Sequence, residues 1–432
     1  MQNNQNTYVN GFNTVINGTI IGTPGFSPGL LAGLLPGNEY AQTNLVSDGS
    51  VPAATTDPDL INPWGLSFSS TSPYWVSDNG TGVTTIYNAA GMKQTVAGQT
   101  AITIAAPPGQ TTPSNPTGQV FNFANTGFNI TSGGTTAPSV FLFATQSGTI
   151  SGWNPTVDPA SSVIAVNNSQ SGAAYTGLAI GQNGSGTFLY AANFSKGTVD
   201  MFNSNFQQVG SFTDPHVPAG YAPFNVQVLG GNLYVTYALQ DAAKTNATAS
   251  PGSGWIDEFS LSGQLLNTVA TPASSGGLNA PWGLAIAPSS FGPFAGDLLV
   301  GNFGDGTISI FTPNPPGAYK NINSYNKYND LPSSIQTSDL YIGKLDGTNN
   351  QPVQIPGLWA ITPGNNSPGS NPNDLYFTAG LQNDAHGLFG TLAPVTSQST
   401  SVTTQPTYSA TTASDPPNVL MPTSGGGSHF LG

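Results

Sequence analysis

Short apolar runs alternate with Gly-, Asn- and Ser-rich turns along most of the chain. Within the runs the apolar positions recur at every second residue, as at Leu298 and Val300 or Ile308 and Ile310. A period of two belongs to strands, whose successive side chains face opposite ways. A short anchor opens each group of runs: NPWG at 62–65, NPTG at 115–118, AYTG at 174–177, APFN at 222–225, APWG at 280–283 and GLWA at 357–360. After each anchor the pattern predicts a strand, a turn, a second strand, a Gly turn and a third strand, as in YWVSDNGTGVTTIY (74–87) and DLLVGNFGDGTISIF (297–311). No stretch carries a convincing helical amphipathic period.

The anchors are spaced 53, 59, 48, 58 and 77 residues apart, near the roughly 40–50 residues of a propeller blade with loops inserted. Six such units predict an all-β chain folded as a single six-bladed β-propeller with four-stranded blades. The last blade runs out of strands near Leu392, while YAQTNLVS (40–47) reads as a strand before the first anchor. Thr43 to Val46 is therefore expected to supply the outer strand of the last blade and close the ring, which also covers open sheet edges. The expected organisation is an N-terminal arm (1–39), the propeller (40–394) and a Ser/Thr/Gly-rich tail (395–432).

Composition narrows the function. Of the 432 residues only 6% are Asp, Glu, Lys or Arg, against about 25% in ordinary domains. All six basic residues are lysines and the net charge is −13. Such a chain offers neither a basic patch nor Arg forks, which excludes nucleic acid as a partner. No run approaches the ~18 apolar residues of a membrane-spanning helix. With no cysteine, disulfides, thiolate metal sites and cysteine nucleophiles are excluded. The uncharged Asn/Thr/Ser/Gly surface predicts an extracellular or cell-surface location, and the scarcity of ion pairs predicts a fold that tolerates acid.

Long strings in order, among them NPWGLSFS, PYWVSDNGTGVTTIYN, APWGLAIAP, GDLLVGNFGDGTI and LYFTAGLQNDAHGLFG, resemble a bacterial family of secreted, uncharacterised proteins related to NHL-type propellers. The resemblance spans roughly residues 40–394. It implies a six-bladed propeller outside the cytoplasm and no particular reaction.

Three kinds of chemistry have candidate residues. Trp64, Phe224, Trp282 and Trp359 occupy one anchor position and form a candidate ligand-binding ring, suited to stacking on a glycan, or else they fill the wedge between blades. Asn62, Asn225, Asn302 and Asp305 lie near turns where a propeller hydrolase or lactonase would hold Ca2+, the one cofactor the sequence admits; Asn and Asp at turns also cap their own backbone. His386, with Asp384 two residues away, and His216 are the histidines weighed for acid/base work, but no Ser stands in a nucleophile elbow, and no catalytic residue is assigned.

The arm is the least charged part of the chain, with no charged residue before Glu39. Val9, Phe12, Val15, Ile16, Ile20 and Ile21 make it apolar and β-prone, so it is expected to fold back on its own propeller or to add a strand to a neighbouring copy, with a disordered leader as the remaining alternative. Tyr319, Tyr325 and Tyr328, beside Lys320 and Lys327, give the 313–337 insertion the composition of a contact surface. The preferred reading is an extracellular structural subunit that assembles with itself into a fibre or matrix through the arm and the Tyr-rich loop. The alternative is a calcium-dependent hydrolase-like or carbohydrate-binding propeller working through its central channel.

Overall fold

Six sheets, one opening at each anchor and antiparallel apart from the two-residue parallel strand Thr55–Thr56 beside Tyr40–Ser47, are arranged as a six-bladed β-propeller in a computed structural model, which describes residues 7–10, 13–16, 19–22, 32–35, 37–313 and 339–395. Each blade runs from an innermost strand outward. The innermost strands are Pro63–Ser67, Pro116–Phe121, Tyr175–Asn183, Tyr221–Leu229, Pro281–Ile286 and Leu358–Pro363. In blades 1 to 5 three further strands follow in sequence order, with a short extra strand beside the second strand of blade 4. Blade 6 takes its fourth strand from the other end of the chain: Tyr40–Ser47 lies antiparallel to His386–Pro394, with Tyr40 opposite Pro394 and Ser47 opposite Leu388. The ring closes as the sequence predicts, and the closing strand, Tyr40–Ser47, extends beyond Thr43–Val46 on both sides, mainly on the N-terminal one.

The anchors work by a repeated distortion. Every innermost strand slips register against its neighbour at the anchor, between Pro63 and Leu66, Pro116 and Gln119, and at the matching positions of the other four blades. The extra residue of such a bulge bends the strand. In blades 1, 2 and 5 the residue before the proline is left-handed: Asn62, Asn115 and Ala280 have φ of 48°, 54° and 45°. The glycine that follows lets adjacent inner strands touch. A Cβ on Gly118 would lie 2.2 Å from the backbone nitrogen of Leu178 in blade 3, and one on Gly65 2.4 Å from the Thr117 carbonyl of blade 2.

Side chains then bond across these seams. Thr117 Oγ1 donates to the Tyr175 carbonyl (2.8 Å), Asn225 Nδ2 to the Trp282 carbonyl (2.8 Å) and Thr378 Oγ1 to the Trp64 carbonyl (2.6 Å). The apolar core sits between neighbouring blades, each gap filled by buried residues from facing sheets.

The strands of the arm pair with one another. Thr7–Asn10, Asn13–Ile16 and Thr19–Gly22 form a three-stranded antiparallel sheet in which Val9 faces Thr14, Val15 faces Ile20, Ile16 faces Thr19 and Ile21 faces Thr14. Phe12, Tyr319, Tyr325 and Tyr328 lie outside the described residues.

Candidate functional site

The channel has two unlike ends. At the upper face, where the innermost strands begin, Trp64, Phe224, Trp282 and Trp359 converge from blades 1, 4, 5 and 6. Trp64 stacks on Trp359 with ring centroids 3.5 Å apart, and Trp282 stands edge-on to both. Phe303 stacks on the same Trp359 at 4.1 Å. None of the four is more than 4% exposed. Trp282 Nε1 donates to the Thr176 carbonyl, and Trp359 Nε1 to Asn62 Oδ1 at 3.0 Å. Ring faces are turned toward other rings, so the anchor aromatics plug the upper end of the channel.

Below the plug the channel narrows to a pocket of about 30 Å³ bounded by Leu66, Gln119, Leu178, Leu284 and Gln227. It then opens at the lower face into a funnel of about 710 Å³. The funnel wall comes from the ends of innermost strands and the turns after them: Leu66 to Ser70 from blade 1, Gln119, Val120, Phe121, Phe123 and Asn125 from blade 2, Ala179 and Ile180 from blade 3, Gln227 and Val228 from blade 4, and Thr362 from blade 6. None of these side chains is titratable. Phe123 is 45% exposed and offers its ring at the rim.

Two wall residues of like chemistry differ in how they are held. Gln119 is fixed, its Nε2 donating to the carbonyls of Gly65 and Trp75 while its Oε1 accepts from Thr84 Oγ1. Gln227 makes no side-chain hydrogen bond among the described residues, and Ser67 Oγ is buried without a partner. The Gln227 amide, facing an uncharged funnel, calls for hydrogen-bonding partners that the wall does not supply.

The four residues considered for calcium do not gather. Asn302 spends its amide on its own turn, Nδ2 donating to Thr307 and Ser309 and Oδ1 accepting from Asn279 N. Asp305 Oδ1 accepts from Thr307 N and Oγ1, and its Oδ2 lies 3.5 Å from Lys344 Nζ. Asn225 is bonded to blade 5, and Asn62 bonds Trp359 and Asn79.

His386 takes its acid from an unexpected quarter: Nδ1 lies 2.6 Å from Asp48 Oδ2, at the end of the closing strand, 338 positions away in sequence. Asp384 instead points inward beside Trp359. Burial pushes its carboxyl up to about 6, and the Trp359 side chain offsets this in part. His216 lies at the surface against Asp214.

The sequence reading missed the funnel because its wall is assembled from strand ends of five blades. The signal present was a glutamine inside an apolar run, Gln119 in NPTGQVF and Gln227 in APFNVQV.

Fold and site together define a six-bladed β-propeller plugged at one end of its channel and open, uncharged and partly apolar at the other. No family model matches the chain. An uncharacterised protein of Acanthamoeba polyphaga mimivirus is 32% identical over 358 residues, covering 81% of this chain and 84% of its own; a second protein of that virus is 31% identical over 358 residues, covering 81% and 78%. The chain belongs to the family of these mimivirus proteins. That corrects the resemblance drawn from sequence strings, since the relatives found are viral and not a bacterial secreted family. Among solved structures a streptogramin B lyase aligns over 82% of this chain and 96% of its own at 12% identity, with a TM-score of 0.44.

Proposed function

We propose that this propeller is a non-catalytic binding module whose lower-face funnel takes a neutral, hydroxyl-rich ligand, in the way a lectin takes the end of a glycan. The observation that carries the reading is the funnel itself: about 710 Å³, with no titratable wall residue and with aromatic rings beside the free Gln227 amide. Aromatic faces stack on the apolar faces of sugar rings while amides and hydroxyls exchange hydrogen bonds with their edges. A hydrolase needs a carboxylate, imidazole or metal at the reacting atoms, and the described funnel wall has no titratable side chain. A glycan ligand and a surface nearly free of charge suit a protein working outside the cell.

The test is a glycan array followed by calorimetry with any hit. Phe123→Ala and Gln227→Ala are each expected to weaken binding about tenfold or more, the loss of one stacked ring or one good polar contact, with the melting temperature unchanged. An array without hits, or hits indifferent to both substitutions, sinks the reading.

Assembly into a fibre or matrix is a second reading, favoured by the arm's separate three-stranded sheet. Among the described residues its outer strands, Thr7–Asn10 and Thr19–Gly22, each pair on one side only, and a sheet edge accepts a strand from another chain. Removing residues 2–30 leaves intact the contacts of Ala32 and Asn38 with the propeller. If the arm assembles copies, that deletion reduces the particle mass to that of one chain; an unchanged mass dismisses it.

A further inference from the structure

The oxygens best disposed for a cation lie away from both ends of the channel, at the seam between blades 3 and 4. Asp214 is in the segment joining the outer strand of blade 3, Gln208–Phe212, to blade 4. Asp257 is in the third strand of blade 4, Trp255–Phe259, and Tyr237 is in the second, Asn232–Gln240. The two aspartates are 2% and 0% exposed and Tyr237 1%.

Each carboxylate is held mainly by one oxygen. Asp214 Oδ1 accepts from His216 N at 2.8 Å, with His216 Nδ1 also 2.7 Å away, while Asp257 Oδ1 accepts from Trp255 Nε1 at 2.8 Å. Asp214 Oδ2, Asp257 Oδ2 and the Tyr237 hydroxyl are buried and none makes a well-aligned hydrogen bond, although the Thr268 hydroxyl lies near Asp257 and the Thr213 hydroxyl and Asp214 N–H lie near Tyr237. The three groups are neighbours: the Asp214 carboxyl lies within hydrogen-bonding reach of Asp257, and both carboxylates act on the Tyr237 hydroxyl.

Two negative charges out of water require a compensating positive one. The chain has six lysines and no arginine, and no described lysine bonds to either carboxylate; the paired ones, Lys93 and Lys344, serve Asp57, Asp59 and Asp305, which leaves the His216 imidazole on Asp214 Oδ1 as the basic neighbour of the pair. Three oxygens, two of them carboxylate, are hard donors suited to a calcium-like cation over a softer metal, and supply about half of the six to eight oxygens such an ion takes. A divalent ion would also balance the two charges in full.

We propose that Asp214 Oδ2, Asp257 Oδ2 and the Tyr237 hydroxyl bind a divalent cation of the Ca2+ type, which clamps blade 4 to the segment leaving blade 3. Trp255 gives the site its own reporter, because its indole is bonded to a ligand residue and sensitises a bound lanthanide.

The experiment uses the full chain, stripped with EGTA and then titrated with CaCl2 or TbCl3. Millimolar Ca2+ is expected to raise the melting temperature by several degrees, reversibly with EGTA. Tb3+ emission under tryptophan excitation is expected to appear in the wild type and to be displaced by Ca2+. Asp257→Asn and Asp214→Asn should abolish the thermal shift and cut the emission at least tenfold. Trp255→Phe should keep the Ca2+ shift but lose most of the emission. The wild type alone can overturn the proposal, whatever the variants' folding: no Ca2+-dependent shift and no displaceable Tb3+ emission rejects the site. A wild type indifferent to Ca2+ that becomes less stable as pH rises toward 7, where Asp257→Asn does not, identifies a carboxyl pair sharing a proton and equally rejects it.

Discussion

Asp384 and its neighbours concentrate local strain. Gln382, Asn383 and Asp384 are three consecutive left-handed residues, with φ of 52°, 56° and 66°, a conformation costing an L-residue about 1–2 kcal/mol, less for Asn and Asp. Glycine adopts it without that cost, so Gln382→Gly is expected to raise stability by roughly 1 kcal/mol after allowing for the glycine's greater freedom when unfolded; chemical denaturation measures it. The turn aims Asp384 inward, where burial raises its carboxyl to about 6. A raised carboxyl holds its proton in the folded state after the unfolded chain has lost its own, so its contribution is complete below about pH 4 and disappears as pH rises to about 6. Asp384→Asn carries no such charge. Its melting temperature relative to wild type should climb between pH 4 and 7 and level off above, whereas a difference constant with pH would show that the carboxyl does not titrate there.

At the scale of strands, the anchors show what a sequence reveals and what it withholds. NPWG and APWG were legible because a proline, an aromatic and a glycine are each demanded locally, by the strand start, the plug and the close approach of the next blade, and NPTG because it keeps the proline and the glycine. The closing strand was legible because YAQTNLVS and an incomplete last blade each lacked a partner. Gly118 tests the close approach. Gly118→Ala puts a methyl group 2.2 Å from the Leu178 nitrogen, and with backbone on both sides unable to yield, a loss of about 3 kcal/mol or more is expected in denaturation. Gly98, with nothing within 4 Å of its would-be Cβ but φ of 81°, should lose only the smaller cost of its conformation. The funnel and the Asp48–His386 pair were not legible, since no local pattern records which distant strand ends meet. The paired Asp214 and Asp257 were hidden likewise, one in a connecting segment and the other in a strand, with no shared motif.

Over the whole molecule the shortage of charge has a measurable sign. Burial raises Asp78, Asp346, Asp374 and Asp384, whereas hydrogen bonds hold Asp48 and Asp241 low against the opposing effect of burial. The raised group adds stability as pH falls from 7, and the lowered pair withdraws it only below about 4. The melting temperature should therefore peak in mild acid, at about pH 4 to 5, and not at neutrality; a maximum at pH 7 or above would contradict the burial of these carboxyls. The closing strand has a consequence of another kind. Tyr40–Ser47 pairs early only with the two-residue strand Thr55–Thr56 and lacks its blade 6 partner until His386–Pro394 has been made, so a ribosome must finish nearly the whole disc before the ring can lock. For that interval the closing strand waits with its blade 6 edge bare, and any nascent chain cut short before blade 6 remains an open ring. Translation speed and chaperone cover during that wait should govern how much protein is recovered more than the stability of the finished propeller does.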